Sequence, residues 1–126
     1  MFKDTHAYSG FAVDDLERAR EFYGETLEIE TNMLDAENGL LQLEIAGDRP
    51  TLVYVKPDFA PATYTVLNFP VSDVEATVDA LAERGVSFER YEGMPQDDRG
   101  IMRGVPGPKI AWFKDPSGNI LSVLED

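Results

Sequence analysis

Histidine, the side chain best suited to acid–base and metal chemistry near neutral pH, occurs once in this chain. The one histidine, His6, lies two residues before Tyr8 and so shares a face of a predicted strand with it. His6 could act as a general base or as a metal ligand, with Glu44 of a later strand as a second ligand. A histidine half-exposed at the start of a strand and a glutamate facing solvent explain the same residues without chemistry, and we favour that interpretation.

Covalent catalysis finds little support in the sequence. The chain has no cysteine, which excludes disulfides, thiolate catalysis and cysteine-ligated zinc or iron–sulfur sites. No G-x-S-x-G motif is present, and no histidine is placed to activate Ser122. The glycines of the stretch 100–107 do not connect a strand to a helix, so they do not predict a phosphate-binding loop.

Composition and charge narrow the class of partner. A chain of 126 residues predicts a single domain with one core, spanning residues 1–126. The formal net charge of −13 argues against nucleic acid as a partner, because a phosphate backbone would be repelled and no basic stripe is present. No apolar run could span a bilayer and no signal core is visible, so we expect a cytoplasmic protein without a membrane partner. The acidic surface could attract a cationic ligand, although solubility alone explains it.

The chain contains two copies of one pattern. The stretch GFAVDDLERAREFYGETLEIE aligns with the later stretch NFPVSDVEATVDALAERGVSF when the chain is shifted by 58 positions. The shift superposes the pairs Phe11 and Phe69, Val13 and Val71, Asp15 and Asp73, and Glu17 and Glu75. We therefore predict module one over residues 1–57, a proline-containing linker over 58–62 and module two over 63–126.

Each module has the pattern of a strand, a helix and three further strands (βαβββ), which predicts an α+β fold. Asp14 with Glu17 and Ser72 with Glu75 fit capping boxes at the two helix starts, and Gly85 suits the end of the second helix. Apolar residues at helical spacing predict the buried helix faces, formed by Leu16, Ala19, Phe22 and Tyr23 and by Val74, Val78, Leu81 and Ala82. Strands are predicted at 5–13, 27–34, 40–46, 51–55, 64–71, 86–91, 110–114 and 119–124, with a long loop at 92–108.

This twofold βαβββ pattern resembles the vicinal oxygen chelate superfamily, which includes glyoxalase I, the extradiol dioxygenases and the bleomycin-resistance proteins. The likeness is carried by the strand–helix junction VDDLERA with EFY, by its counterpart at 68–81, and by the turn DPSGN that follows Trp112 and Phe113. The resemblance implies two curved modules that form a mixed sheet around one cleft, with the helices on the outside. It also implies a homodimer.

Metal-dependent members of this superfamily hold one divalent ion on four side chains, one from the first and one from the last strand of each module. The matching positions in this chain are Tyr8, Val66, Ser122 and, to within about two residues, Val53. None of these is a normal ligand of a catalytic divalent ion. We therefore expect no metal and no other cofactor, and a divalent metal on a non-standard site such as His6 with Glu44 is the alternative.

What remains is a predicted cleft of aromatic, apolar and small polar residues, a composition typical of small-molecule pockets. Strand parity places in it Tyr8, Gly10, Tyr64, Val66, Asn68, Trp112 and Ser122, with Tyr54 next to the position of Val53. The loop adds Met94 as an adaptable contact and Arg103 as a group that could hold an anion. The aromatic residues fit an ordinary core equally well, and Arg103 fits an exposed surface.

Three functions are compatible with these residues. The first is a binding protein of the bleomycin-resistance type, which sequesters a small organic molecule in a metal-free cleft without chemistry. The second is an enzyme of the superfamily, a lyase, isomerase or dioxygenase with a non-standard metal site or a metal-free isomerase using His6 or Tyr8. The third is a regulatory domain without a ligand. The missing metal ligands favour the first.

Overall fold

The computed structural model of the protein describes residues 1–103 and 107–125. The chain divides into two compact units, Met1–Ala60 and Pro61–Asp126, and the division falls inside the stretch predicted as a linker. The fold is α+β, with one mixed sheet and one α-helix in the described part of each unit. In these ranges no helix is both long and apolar enough to cross a membrane.

The first unit follows the predicted βαβββ order. Its elements are β1 (Ser9–Val13), α1 (Leu16–Glu21), a π-helical turn (Phe22–Thr26), β2 (Thr31–Asp35), β3 (Leu40–Ile45) and β4 (Arg49–Val55). The strand order is β1-β4-β3-β2, in which β1 and β4 run parallel and the other pairs antiparallel. The ring of Tyr23, in the π-helical turn, is fully buried and lies 5.8 Å from that of Phe11, which joins the helical segment to β1. The core therefore lies on one face of this sheet, with Leu41, Leu43 and Val53 also fully buried.

Two strands of the first unit begin later than predicted. β1 starts at Ser9 rather than at residue 5, so Tyr8 and His6 precede the strand. β2 starts at Thr31 rather than at residue 27, because the helical segment continues through the π-helical turn, in which Leu27 N donates to Phe22 O at 2.9 Å. Glu28 then takes a positive φ of 59°, which redirects the chain before β2.

The described part of the second unit keeps the same plan with fewer strands. Its elements are β5 (Thr65–Val71), α2 (Val74–Glu83), β6 (Ile110–Lys114) and β7 (Ile120–Glu125), and the sheet order is β5-β7-β6. The strand predicted at 86–91 is wrong: the stretch forms a single bridge, Phe88 to Phe113, within the described residues. Strand pairing does not continue, because the side chain of Gln96 forms hydrogen bonds with the backbone groups of Glu89 and Tyr91. Its Oε1 accepts from Tyr91 N at 2.7 Å, and its Nε2 donates to Glu89 O at 2.9 Å.

The helix caps lie one residue later than the capping boxes predicted. Asp15 Oδ1 accepts from Arg18 N at 3.1 Å and Asp73 Oδ1 accepts from Ala76 N at 3.0 Å, and both residues have extended backbones. The prediction of Asp14 and Ser72 as caps is therefore wrong. The true caps are separated by the 58-residue shift, as the predicted ones are, so the repeat shows that the two caps are equivalent but does not show which residue is the cap.

The predicted features of the second helix and of the last hairpin are mostly confirmed. Val74, Val78 and Leu81 are buried, whereas Ala82 is exposed. Gly85, with φ +88°, ends α2. In the DPSGN turn, buried Asp115 accepts from the backbone N–H groups of Ser117 and Asn119 through its Oδ1. Of the predicted loop 92–108, residues 104–106 lie outside the described part of the chain.

Candidate functional site

The second unit contains a cavity of about 240 Å³ that is lined mainly by aromatic and apolar side chains. We call it the aromatic groove, and its lining residues are Thr63, Tyr64, Thr65, Tyr91, Met94, Trp112 and Ile120. Tyr64 is 70% exposed, so this ring stands at the mouth rather than in the core. The interpretation of the predicted aromatic residues as ordinary core therefore fails for Tyr64.

Strand alternation explains why the groove residues lie on one side of the second sheet. Trp112 pairs with Ser122 and Ile120 pairs with Thr65, which places Trp112, Ile120 and Thr65 on one face. The alternate residues Ala111, Phe113 and Leu121 are buried on the opposite face. The sheet thus separates a hydrophobic core from the groove.

Tyr91 and Trp112 form a corner of two rings at the centre of the groove. Their centroids are 5.5 Å apart and their planes stand at 74°, the edge-to-face arrangement that aromatic pairs favour. Gln96 fixes the backbone of Tyr91, and its Nε2 also donates to Gly100 O at 2.8 Å. Met94 N donates to Tyr91 O at 3.1 Å, so the same turn places Met94 beside the corner.

The Tyr91 hydroxyl is buried and has no hydrogen-bond partner among the described residues. Burial raises the pKa of Tyr91, the nearby Glu89 carboxylate raises it further, and Lys114 opposes both effects. The phenol is therefore neutral at physiological pH. A buried hydroxyl without a partner is uncommon in proteins and calls for an explanation at the site where it occurs.

Three of the predicted ligand-contacting residues, Tyr64, Met94 and Trp112, come together in the groove. Two others, Asn68 and Ser122, lie on the same face of the sheet but bind each other, since Ser122 Oγ donates to Asn68 Oδ1 at 2.6 Å. Val66 lies where the pairing of β5 with β7 shifts by one residue, so strand parity does not predict its direction.

The ligand-contacting residues predicted in the first unit are not among the residues that line the aromatic groove. Tyr8 precedes β1 and is 68% exposed, so its predicted position on a strand is wrong. Gly10 pairs with Leu52 and shares a sheet face with Tyr54. Val53 is fully buried and lies on the opposite face, so the residue of β4 that corresponds to Ser122 is Leu52. Leu52 is one residue from Val53, within the range of about two residues predicted for this position.

The residues at the metal-ligand positions do not fit a metal ion. Leu52 and Val66 offer no lone pair, and the Ser122 hydroxyl is engaged by Asn68. His6 and Glu44 are both exposed, and Glu44 accepts a hydrogen bond from Gln42. Across residues 1–103 and 107–125, no group of three or more histidine, aspartate or glutamate side chains could hold a metal ion.

Arg103 is engaged by acidic side chains. It donates to Glu75 Oε1 at 3.0 Å and to Asp97 Oδ2 at 2.8 Å, and Lys109 also contacts Glu75. These hydrogen bonds, from Lys109 first and Arg103 second, hold the pKa of Glu75 below its ordinary value of 4.5. An anionic ligand would have to displace two carboxylates from Arg103, so the anion site stays a prediction without support from this geometry.

The sequence missed Tyr91, Thr63, Thr65 and Ile120 as groove residues. Tyr91 was assigned to a strand, whereas its backbone N–H donates to the side chain of Gln96 instead of to a neighbouring strand. Alternation along β5 predicted that Thr65 faces away from the cleft, but the pairing of β5 with β7 shifts at Val66, which puts Thr65 on the groove side. Ile120 could have been found, because it lies two residues before Ser122 on the same face.

Sequence comparison agrees with the class of protein that this fold defines. A sequence model of the Glyoxalase/Bleomycin resistance protein/Dioxygenase superfamily matches residues 6–123. The chain belongs to this superfamily, as the repeat and the DPSGN turn predicted.

Individual relatives match this chain over nearly its whole length. YraH, an uncharacterized protein of Bacillus subtilis (strain 168), is 26% identical, and the match covers 90% of this chain and 91% of YraH. TnmS3, an antibiotic binding protein from Streptomyces sp. CB03234, is 26% identical with a TM-score of 0.69, covering 94% of each chain. The fosfomycin resistance protein FosX from Listeria monocytogenes is 15% identical with a TM-score of 0.71, covering 95% of this chain and 91% of FosX, and shows similarity of fold alone.

Proposed function

We propose that the protein binds a small organic molecule in the aromatic groove and sequesters it without a metal. The observation that carries this proposal is the corner formed by Tyr91 and Trp112, with Met94 and Tyr64 beside it. A concave site lined by aromatic and apolar side chains with a few polar groups is typical of small-molecule pockets. The similarity to TnmS3, an antibiotic binding protein, supports the same class of function.

The proposed assembly and location follow the resemblance. We propose that the protein works as a homodimer in the cytoplasm, with the small molecule as its partner and no bound cofactor. No contact within the described residues bears on the dimer, so its test is a solution measurement, given in the Discussion.

Binding is tested by isothermal titration calorimetry with metal-free bleomycin and with a library of small organic compounds. We expect at least one compound to bind, and the Tyr64→Ala and Met94→Ala variants to weaken that binding by about tenfold, since each removes part of the groove wall. Both side chains are exposed, so both variants should fold. Phe2→Ala, at an exposed aromatic of the first unit, is the control and should bind as the wild type does.

Two results would contradict the proposal. One is that no compound binds. The other is that compounds bind but lose no affinity in the Tyr64→Ala and Met94→Ala variants, which would place binding outside the groove.

A further inference from the structure

The aromatic groove presents π faces without a formal charge of its own. Its seven lining residues include three aromatic rings and a methionine, and among the described residues none that lines it is charged. The charged groups that act on the Tyr91 hydroxyl, Glu89 and Lys114, are paired with each other at 3.2 Å. A positively charged ligand would therefore meet no positive charge among these lining residues, and the positive charge of the nearby Lys114 is paired with Glu89.

The arrangement of the rings suits a compact head group better than a flat one. Tyr91 and Trp112 stand at 74°, so they do not form a slot with parallel walls that would sandwich a planar ring. Two rings at nearly a right angle cannot both lie flat on one planar group, so a rounded group fits this corner better. A cation within about 6 Å of such ring centroids is attracted by the negative π faces.

The charge of the whole chain acts in the same direction. The net charge is −13, from 24 acidic and 11 basic residues. A field of this sign raises the local concentration of cations around the molecule and disfavours anions. The field of the net charge acts on every cation alike, and the aromatic corner adds a short-range contact that can select one kind of cation.

We propose that the ligand of the aromatic groove carries an alkylated ammonium group, which Tyr64, Tyr91 and Trp112 bind through cation–π contacts. This inference rests on the proposed binding function and names the chemical class of its ligand. Met94 contacts the alkyl substituents, because a thioether adapts to irregular apolar surfaces. The threonine hydroxyls of Thr63 and Thr65 contact the polar remainder of the ligand.

The test compares choline with 3,3-dimethylbutan-1-ol, a neutral molecule of the same shape. Affinities are measured at constant ionic strength from the NMR shift of the indole N–H of Trp112, the one tryptophan of the chain. We expect choline to bind about tenfold tighter than the neutral isostere. Tyr64→Leu keeps an apolar side chain at the mouth but removes the π face, and it should weaken the binding of choline about fivefold more than that of the isostere.

Each other outcome overturns part of the account. Equal affinity for choline and the isostere overturns the charge selectivity and leaves the proposed binding function intact. Phe2→Leu is the control variant, and it should not change choline binding. If Tyr64→Leu also leaves choline binding unchanged, the assignment of the ligand to the groove rings is wrong. If neither probe binds while a neutral compound of the library does, the ammonium class is wrong. If nothing binds in either experiment, the proposed function itself fails.

Discussion

Tyr91 is the residue on which the site depends most. Its ring forms one wall of the aromatic corner, its backbone N–H is bound by Gln96, and its hydroxyl is buried without a partner among the described residues. The first two features fix the shape of the groove. The third lowers the stability of the free protein, because a buried hydroxyl loses its bonds to water without gaining others.

The substitution Tyr91→Phe tests this cost. It removes the hydroxyl and keeps the ring, so we expect the free energy of unfolding to rise by about 1 kcal/mol. Urea denaturation of the ligand-free protein measures the change. A loss of stability would mean that the hydroxyl has a partner in solution.

Gln96 determines the position of Tyr91, and it does so with both ends of its amide. Gln96→Glu keeps an acceptor for Tyr91 N but removes the donors to Glu89 O and Gly100 O. We expect a loss of about 2 kcal/mol in stability, since two carbonyl oxygens then face a carboxylate. Urea denaturation measures that loss, and the Trp112 indole NMR signal should shift with it. An unchanged indole signal would show that the corner does not depend on Gln96.

At the scale of the elements, the two helices start at equivalent positions of the repeat. Asp73→Ala removes the side-chain acceptor for Ala76 N and should cost about 1 kcal/mol. Ser72→Ala changes the neighbouring exposed residue, the cap that the sequence predicted, and should cost much less. Thermal and urea unfolding of the two variants show whether Asp73 or Ser72 is the cap. If Ser72→Ala costs more stability than Asp73→Ala, the predicted capping box is right.

The helix α2 is also tied to the loop beyond it by ion pairs. Arg99 contacts Asp79 at 2.8 Å, while Arg103 and Lys109 contact Glu75 at 3.0 Å. All of these side chains are more than a third exposed, so each pair contributes little at high salt. Together they hold the loop residues 97–103 against the helix.

The pH dependence of Glu75 follows from its lowered pKa. Its folded pKa lies below the ordinary value of 4.5, so its contribution is present above that value and is lost as the pH falls through the folded pKa. Wild type should therefore be more stable than Glu75→Gln at pH 7, and the difference should close as the pH falls below 4.5 and through the lowered folded pKa. Urea unfolding of both proteins between pH 3 and pH 7 measures it. A difference that does not change with pH would show that the carboxylate charge is not what stabilises the loop.

At the scale of the whole molecule, the 58-residue repeat predicted most of the fold. It gave the equivalent strands β1 and β5, the equivalent helices and the family, and the DPSGN motif gave the last turn. These features are local or repeated, so one sequence contains enough information to locate them.

The groove was only partly predictable, for three physical reasons. Both faces of β4 carry apolar side chains, so alternation could not tell Leu52 from Val53. The pairing irregularity at Val66 shifts parity within β5. The bonds of Gln96 to Tyr91 and Glu89 depend on a turn that no hydrophobic pattern marks.

The oligomeric state is a further prediction at this scale. We expect light scattering at micromolar concentration to give twice the 14.0 kDa mass of one chain. A mass equal to one chain would contradict the homodimer and leave the groove within the second unit unaffected.

The most direct test of the account is an NMR titration of ¹⁵N-labelled protein with the compounds that bind in calorimetry. The central claim is that the ligand occupies the aromatic groove. It predicts that bound compounds shift the Trp112 indole signal and the backbone signals of Tyr91 and Met94. Compounds that bind but move only signals outside the groove, for example those of the first unit, would contradict it.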